Sequence, residues 1–394
     1  MSNLVKKITF LLILSISCNF NLKAQFSFDS ISSKSSLLKK VFDNPSKYHL
    51  QIIYTQIIYK DNKPIFKNYT LNNSLKKYFY CASLVKLPTS ILALQKLNQI
   101  KVKQNSIFFT DSSNYCHKKN MYDKSSENGY PSVEHYIKKM FLVSDNHAYS
   151  RVLEFVSPDY LHKKIKSYGY KNVRIINRYD GTCKDKNQLI SNPISFLDSN
   201  LNVIYSQKEH ISKYVPLQLN IKAKAGKFYY NQKNKLIKSS KSFEKSNYLN
   251  LSDCHSMLLN LIYNNDVKFN ISNSQRDFLI KYLTIYPRQS LFPKYDSIKY
   301  PDNYKKYFIF GDSSKYITDS TIKITNIVGL SYGFMIDCAR IYDQKNNVEF
   351  MLSAVIYANE DEVINDGKYD YYNVGMPFLA ELGRQFYNYE LRRK

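Results

Sequence analysis

Two short constellations carry the residue types that acyl-transfer chemistry needs. The segment Cys81-Ala82-Ser83-Leu84-Val85-Lys86-Leu87-Pro88 sets a hydroxyl and an amine three residues apart at the start of an apolar, helix-periodic run. Three residues is nearly one helical turn, so Lys86 falls beneath the Ser83 hydroxyl on one face. A lysine held in an apolar wall or beside a second cation gives up its proton more easily. The neutral amine can then take the serine proton as the oxygen attacks a carbonyl. A serine at a helix N-terminus also places backbone N–H groups where an oxyanion develops. S-x-x-K alone equally describes a serine capping a helix beside a solvated lysine, a frequent accident in a chain with 57 Lys and Arg. The second constellation, Ser144-Asp145-Asn146, stands in Phe141-Leu142-Val143-Ser144-Asp145-Asn146-His147-Ala148. Alone it reads as an interhelical loop whose small polar residues satisfy free helix ends. Following S-x-x-K at this distance, it makes coincidence the poorer explanation.

Together the two motifs resemble the signature of the class A β-lactamases and related penicillin-recognising serine enzymes, S-x-x-K, then S-D-N, then K-T-G. The resemblance implies that Ser83 is the acylated nucleophile, Lys86 its base, Ser144 a proton shuttle to the leaving group, and Asn146 a contact to the substrate amide. The third motif departs from the pattern. Its best match is Asn326-Ile327-Val328-Gly329, which makes Val328 and Gly329 the substrate-flanking residues and puts Ile327 where the family has lysine. Lys323 or Arg340 is near enough in sequence to supply that charge. Lys224-Ala225-Gly226 imitates K-T-G, but helical sequence rather than a paired strand follows it. The family's deacylating glutamate, in E-x-x-L-N, has no clear counterpart. Arg178-Tyr179-Asp180 resembles the start of that loop, with Cys183 and Lys184 where the glutamate should follow. Asp198-Ser199-Asn200-Leu201-Asn202 reads as D-x-x-L-N with a shorter acid, and more simply as an exposed polar turn.

The elements that must position these residues are readable around them. Ser33 to Phe42 is helical. Tyr48 to Tyr59 and Pro64 to Tyr69, joined by turn residues from Asp61, form a hairpin. Leu84, Leu87, Ile91, Leu94 and Leu97 recur at helical spacing. Ser106 to Pro131 is polar and reads as a loop crossing, and Val133 to Val156 is a helix broken at Ser144-Asp145-Asn146. Helices are expected over Ser252 to Asn264 and Ser274 to Tyr286. Ile322 to Ile327, Tyr332 to Tyr342 and Val348 to Tyr357 form a meander, with breaks at Gly329 and Asp343 to Asn347. Asn373 to Leu391 is a closing amphipathic helix. The expected fold is α/β of the α+β type, β-lactamase-like: an antiparallel sheet from N- and C-terminal strands, packed by helices, with a helical domain inserted. One domain spans 25–394, lengthened by a central insertion at about 207–315.

The remaining features bound the setting. Lys6 and Lys7 precede the apolar run Ile8 to Ile16, and small residues surround Ala24, which is the pattern of a secretory signal peptide over 1–24. The alternative is a lipoprotein signal with Cys18 as the lipid-bearing residue, although Ser15 is a poor match for it. Both predict an exported protein, periplasmic or envelope-associated, and no later segment is apolar enough for an integral membrane span. Five cysteines follow Cys18 with neither a C-x-x-C pair nor zinc-like histidine spacing, so no metal and no cofactor is expected. The net charge of +25 comes from lysines scattered singly among Asn, Ile and Tyr, which argues against nucleic acid as a partner. The expected partner is a small-molecule or cell-wall peptide substrate. The runner-up reading is a non-catalytic or weakly active envelope protein that uses the same cleft for ligand binding.

Overall fold

The computed structural model describes residues 26–112, 118–181, 185–313, 317 and 321–393. The signal segment, Cys18, Cys116, Cys183 and Lys184 lie outside the described residues.

Alternating sequence and tight turns build the central sheet. Strand β1 (Gln51–Lys60) and β2 (Lys63–Leu71) pair antiparallel across Asp61 and Asn62, both at positive φ (50° and 59°). That is the geometry a two-residue hairpin requires, and Asn and Asp tolerate it best after glycine. Three further strands appear later in the chain: β6 (Ile322–Ser331), β7 (Phe334–Asp343) and β8 (Val348–Tyr357). β8 pairs antiparallel with β1, giving the order β6-β7-β8-β1-β2. The sheet therefore joins the two ends of the domain and leaves β6 as an edge.

Side-chain alternation gives that sheet two buried faces. On one, Tyr54, Ala339, Phe350 and Leu352 pack beneath α1 (Ser36–Asp43) and the closing α8 (Met376–Arg393). On the other, Ile53, Ile327, Ile336, Cys338 and Val355 meet the helical layer. That layer contains α2 (Lys86–Gln99), α3 (Val133–Val143), α4 (Asn146–Val156), α5 (Pro158–Ser167), α6 (Leu251–Tyr263) and α7 (Asn273–Thr284). Mixed helices and an antiparallel sheet match the expected α+β architecture.

Two expectations need correction. The polar stretch after Ser106 contains strand β3 (Ile107–Thr110), which pairs with β4 (Ile194–Leu197), itself paired with β5 (Val203–Gln207). Gly329 does not break a strand, because β6 runs through it to the turn at Tyr332-Gly333. A Cβ on Gly329 would lie 2.9 Å from the Cys81 carbonyl oxygen and 3.3 Å from the Ala82 Cβ. Glycine here allows close packing, not a turn. Between 207 and 315, α6 and α7 contribute Leu258, Leu279 and Leu283 to the main core, so much of that stretch is structural.

Candidate active site

Ser83 sits in a single 3-10 turn, Ala82–Val85, that feeds directly into α2. Neither element begins with a side-chain cap, so the reading of Ser83 as a capping serine fails. The turn is entered through Ala82 at φ 44°, a left-handed conformation that costs an L-residue energy and persists only where its surroundings fix it. Three contacts do so. The Leu84 amide donates to the Cys81 carbonyl at 3.1 Å, the Tyr179 hydroxyl donates to the Ala82 carbonyl at 3.0 Å, and Gly329 of β6 abuts Cys81.

Lys86 is fully buried, which removes the solvated-lysine reading as well. Its amine lies 2.9 Å from Ser83 Oγ, 2.8 Å from Ser144 Oγ, 2.5 Å from the Ser144 carbonyl and 2.8 Å from Asn146 Oδ1. Ser144 Oγ is in turn 2.6 Å from Ser83 Oγ. Two hydroxyls and one amine thus form a closed triangle in which a proton can pass between any two members. Burial pushes the Lys86 amine well below the usual lysine range. The like charge of Lys305 adds to this effect, and Asp145 opposes it. A neutral amine in hydrogen-bond contact with a serine hydroxyl is the arrangement a general base requires.

The S-D-N turn owes its shape to helix ends. α3 stops at Ser144, which takes φ 59°, and Asp145 caps α4 by accepting the Ala148 amide at 2.7 Å. The loop reading and the functional reading of these residues therefore hold together: the same turn that satisfies two helix termini aims Ser144 and Asn146 at Lys86. Ser150, one turn into α4, donates to the Asn146 carbonyl at 2.9 Å and accepts the amides of Tyr179 (3.1 Å) and Asp180 (3.3 Å). The Arg178-Tyr179-Asp180 segment is thereby tied to both Asn146 and Ala82. The sequence singles out that segment by its likeness to the family loop, but no local pattern points to Tyr179 or Ser150 as its anchors.

The other marked residues divide clearly. Gly329 lies against the segment that leads into Ser83. The Val328 side chain faces the opposite core, with Ala339 and the α8 layer, so only its backbone is available to this side. Ile327 is fully buried on the helical face. Neither proposed substitute for the strand lysine reaches the site. Lys323 is solvent-exposed. Arg340 pairs with Glu349, Nε at 2.6 Å and Nη2 at 2.5 Å, and with the Tyr263 hydroxyl. Asp198 is an exposed turn residue that accepts the amides of Asn200 and Asn202 at 2.9 Å each, which settles D-x-x-L-N as a surface turn. The expectation of helical sequence after Lys224-Ala225-Gly226 is wrong: Lys224-Ala225 makes a two-residue ladder with Lys241-Ser242, and the strand Phe228–Tyr230 that follows pairs with Leu236–Ile237. Among the described residues no group of His, Cys, Asp and Glu gathers as a metal site, and no helix is long and apolar enough to cross a membrane.

Solved structures with the same fold are numerous. PBP-A is 11% identical, with 90% of this chain and 96% of that one covered at a TM-score of 0.51. A PBP-A variant in an acyl-enzyme complex with penicillin G is 11% identical over 90% and 95%, at 0.50. The β-lactamase of Sphaerobacter thermophilus is 10% identical over 92% and 96%, at 0.49. No curated protein sequence matches. The model of the Beta-lactamase enzyme family matches residues 67–389, a span that runs from β2 to α8 and takes in Ser83, Lys86 and Ser144, and the chain belongs to that family.

Proposed function

We propose that this protein is an exported active-site-serine hydrolase whose Ser83 is acylated by a β-lactam or a related amide or ester. The observation that carries the reading is the Ser83, Lys86 and Ser144 triangle, with a buried amine of lowered basicity 2.9 Å from the attacking hydroxyl. In this mechanism Lys86 takes the Ser83 proton as Oγ attacks the carbonyl, and the Ser83 amide is one donor available to the oxyanion. Ser144 then returns a proton to the departing nitrogen or oxygen, and Asn146 holds the substrate amide. The signal-like N-terminus is the basis for export to the periplasm or envelope, with a lipid anchor at Cys18 as the alternative route.

Covalent labelling tests the proposal. A fluorescent penicillin is one probe, chosen because the similar PBP-A variant forms an acyl-enzyme with penicillin G. A fluorophosphonate is the other, since it asks only for an activated serine. Wild-type protein should take up at least one label at Ser83, and Ser83→Ala should take up neither. Absence of any adduct on folded wild type would overturn the reading in favour of a binding protein that keeps the fold.

A further inference from the structure

The residue that departs from the family pattern in β6, Ile327, is an apolar member of the core, yet the site does not lack a cation. Lys305 ends a short 3-10 turn, Asp302–Lys305, in the segment that precedes β6, and its side chain is buried. Its carbonyl accepts the Asn326 amide nitrogen at 2.6 Å, which pins it to the residue next to Ile327. Its amine reaches across to the last turn of α3, where it donates to the carbonyl of Phe141 and, at 3.5 Å, to that of Met140. The α3 helix cannot satisfy these carbonyls itself, because the chain turns left-handed at Ser144 and the amides of Ser144 and Asp145 both return to Lys139.

We propose that Lys305 takes the place of the missing strand lysine as the positioning cation of the Ser83 site, anchoring the turn that presents Ser144 and Asn146 to Lys86. The proposal rests on Ser83 being the nucleophile.

The segment that carries Lys305 is held at several points, and among the described residues no carboxylate forms an ion pair with its amine. Lys306, the next residue, donates to the carbonyls of Leu283 (2.7 Å) and Ile324 (2.8 Å) and to Asn326 Oδ1 (2.8 Å). Asp337 of β7 accepts Asn326 Nδ2 at 2.8 Å and the amides of Tyr307 and Phe308 at 3.2 Å each. The segment that carries Lys305 is thus clamped to β6, β7 and α7. The charged groups that interact with it are Asp337, Lys306 and Lys86, and Asp145 acts in turn on Lys86. Burial lowers the Lys305 amine to about 7, with Asp337 acting in the opposite direction. Lys305 in turn lowers Lys86. A cation here serves two ends: it satisfies the helix carbonyls behind the S-D-N turn, and it favours the neutral amine that Ser83 needs.

A merely structural lysine would cap α3 and nothing more, so the test reads the chemistry of Lys86. In protein carrying 13C-labelled lysine, the Lys86 titration is followed by NMR in wild type, Lys305→Met and Lys305→Arg. Ser83 phosphonylation by a fluorophosphonate is timed across pH in the same three proteins. Lys305→Met should raise the Lys86 midpoint by about one pH unit, which corresponds to roughly tenfold slower phosphonylation on the acid limb. Lys305→Arg should restore both. An unchanged midpoint and rate, with thermal stability alone reduced, would overturn the proposal and leave Lys305 a helix cap. Should Lys305→Met not fold, the wild-type curves decide: Lys86 must respond as Lys305 titrates, and independent titration of the two refutes the coupling. Failure of wild type to react with the probe would instead refute Ser83 as nucleophile, while the titration result would stand by itself.

Discussion

Gly329→Ala tests whether β6 must close against the segment that leads into Ser83. The added Cβ would lie 2.9 Å from the Cys81 carbonyl oxygen, 3.1 Å from Ile336 Cδ1 and 3.3 Å from the Ala82 Cβ. The isoleucine terminus can swing aside, but the first contact is with backbone that cannot. That backbone is held by the Leu84 amide on one side and by Tyr179, through Ala82, on the other. Among the described residues β6 has a partner strand only in β7, so relief must come from lifting the edge strand away from the 3-10 turn. Overpacking of this kind costs about 1–3 kcal/mol. A shift of a few tenths of an ångström in a site that depends on geometry lowers the acylation rate by roughly three- to sixfold, given that about 1 Å costs on the order of a hundredfold. Thermal unfolding and the rate of Ser83 labelling measure the two effects. Gly129→Ala is the control: its Cβ meets nothing within 4 Å, and its φ of 78°, unlike the strand backbone at Gly329, is itself unfavourable for alanine. It should lose some stability and keep its labelling rate. If Gly329→Ala labels at the wild-type rate and melts where wild type does, the close approach of β6 to the nucleophile segment is wrong.

Lys86→Met should slow Ser83 labelling by about 10²–10⁴-fold, the usual contribution of a positioned base, with little loss of melting temperature because an isosteric apolar chain replaces a buried amine. The same variant tests the linkage. Burial and Lys305 lower the folded Lys86 below its unfolded value of 10.5, so the unfolded chain holds the extra proton and wild-type stability rises with pH up to that value. Denaturant titrations should show that slope reduced by about 1.4 kcal/mol per pH unit in Lys86→Met. Asp123 behaves oppositely. Burial works against its charge, but hydrogen bonds from His135, Lys139 (2.8 Å) and Ser125 (2.6 Å) hold its carboxyl far below the usual range. Its contribution is present above about pH 4 and is lost as pH falls further. Asp123→Asn should therefore destabilise the protein at neutral pH and show a shallower acid limb in melting temperature.

The parts of the fold that were legible in the sequence are those where local chemistry and tertiary contacts agree. The hairpin is written in Asp61 and Asn62, the α2 face in Leu87, Ile91 and Leu94, and the break between α3 and α4 in three residues that satisfy helix ends. Gly329 misled because glycine is ambiguous in a one-dimensional pattern: it marks a turn or a close approach, and only the neighbour at 2.9 Å says which. Strand β3 was invisible because four residues are too few to show a period, and its partner Ile194–Leu197 is far away in the chain.

The same limit applies to the site. Ser83, Lys86, Ser144 and Asn146 could be found because short motifs keep them in fixed register with their helices. A cation has no such constraint. What the site requires of it is a charge at one place, and any backbone that reaches that place can deliver it. Lys323 and Arg340, the cations near Ile327 on β6 and β7, both turn elsewhere. Lys305 stands 22 residues from Ile327 in a chain crowded with lysines, and nothing in its sequence neighbourhood sets it apart. It is distinguished by burial beside unsatisfied helix carbonyls and by Asn326, which holds Lys305 through its carbonyl and Lys306 through its amine. With Lys305 held by that clamp, the proposed role asks for no charge at position 327, and isoleucine there joins the core that packs against Ala82 and Leu84 on either side of Ser83.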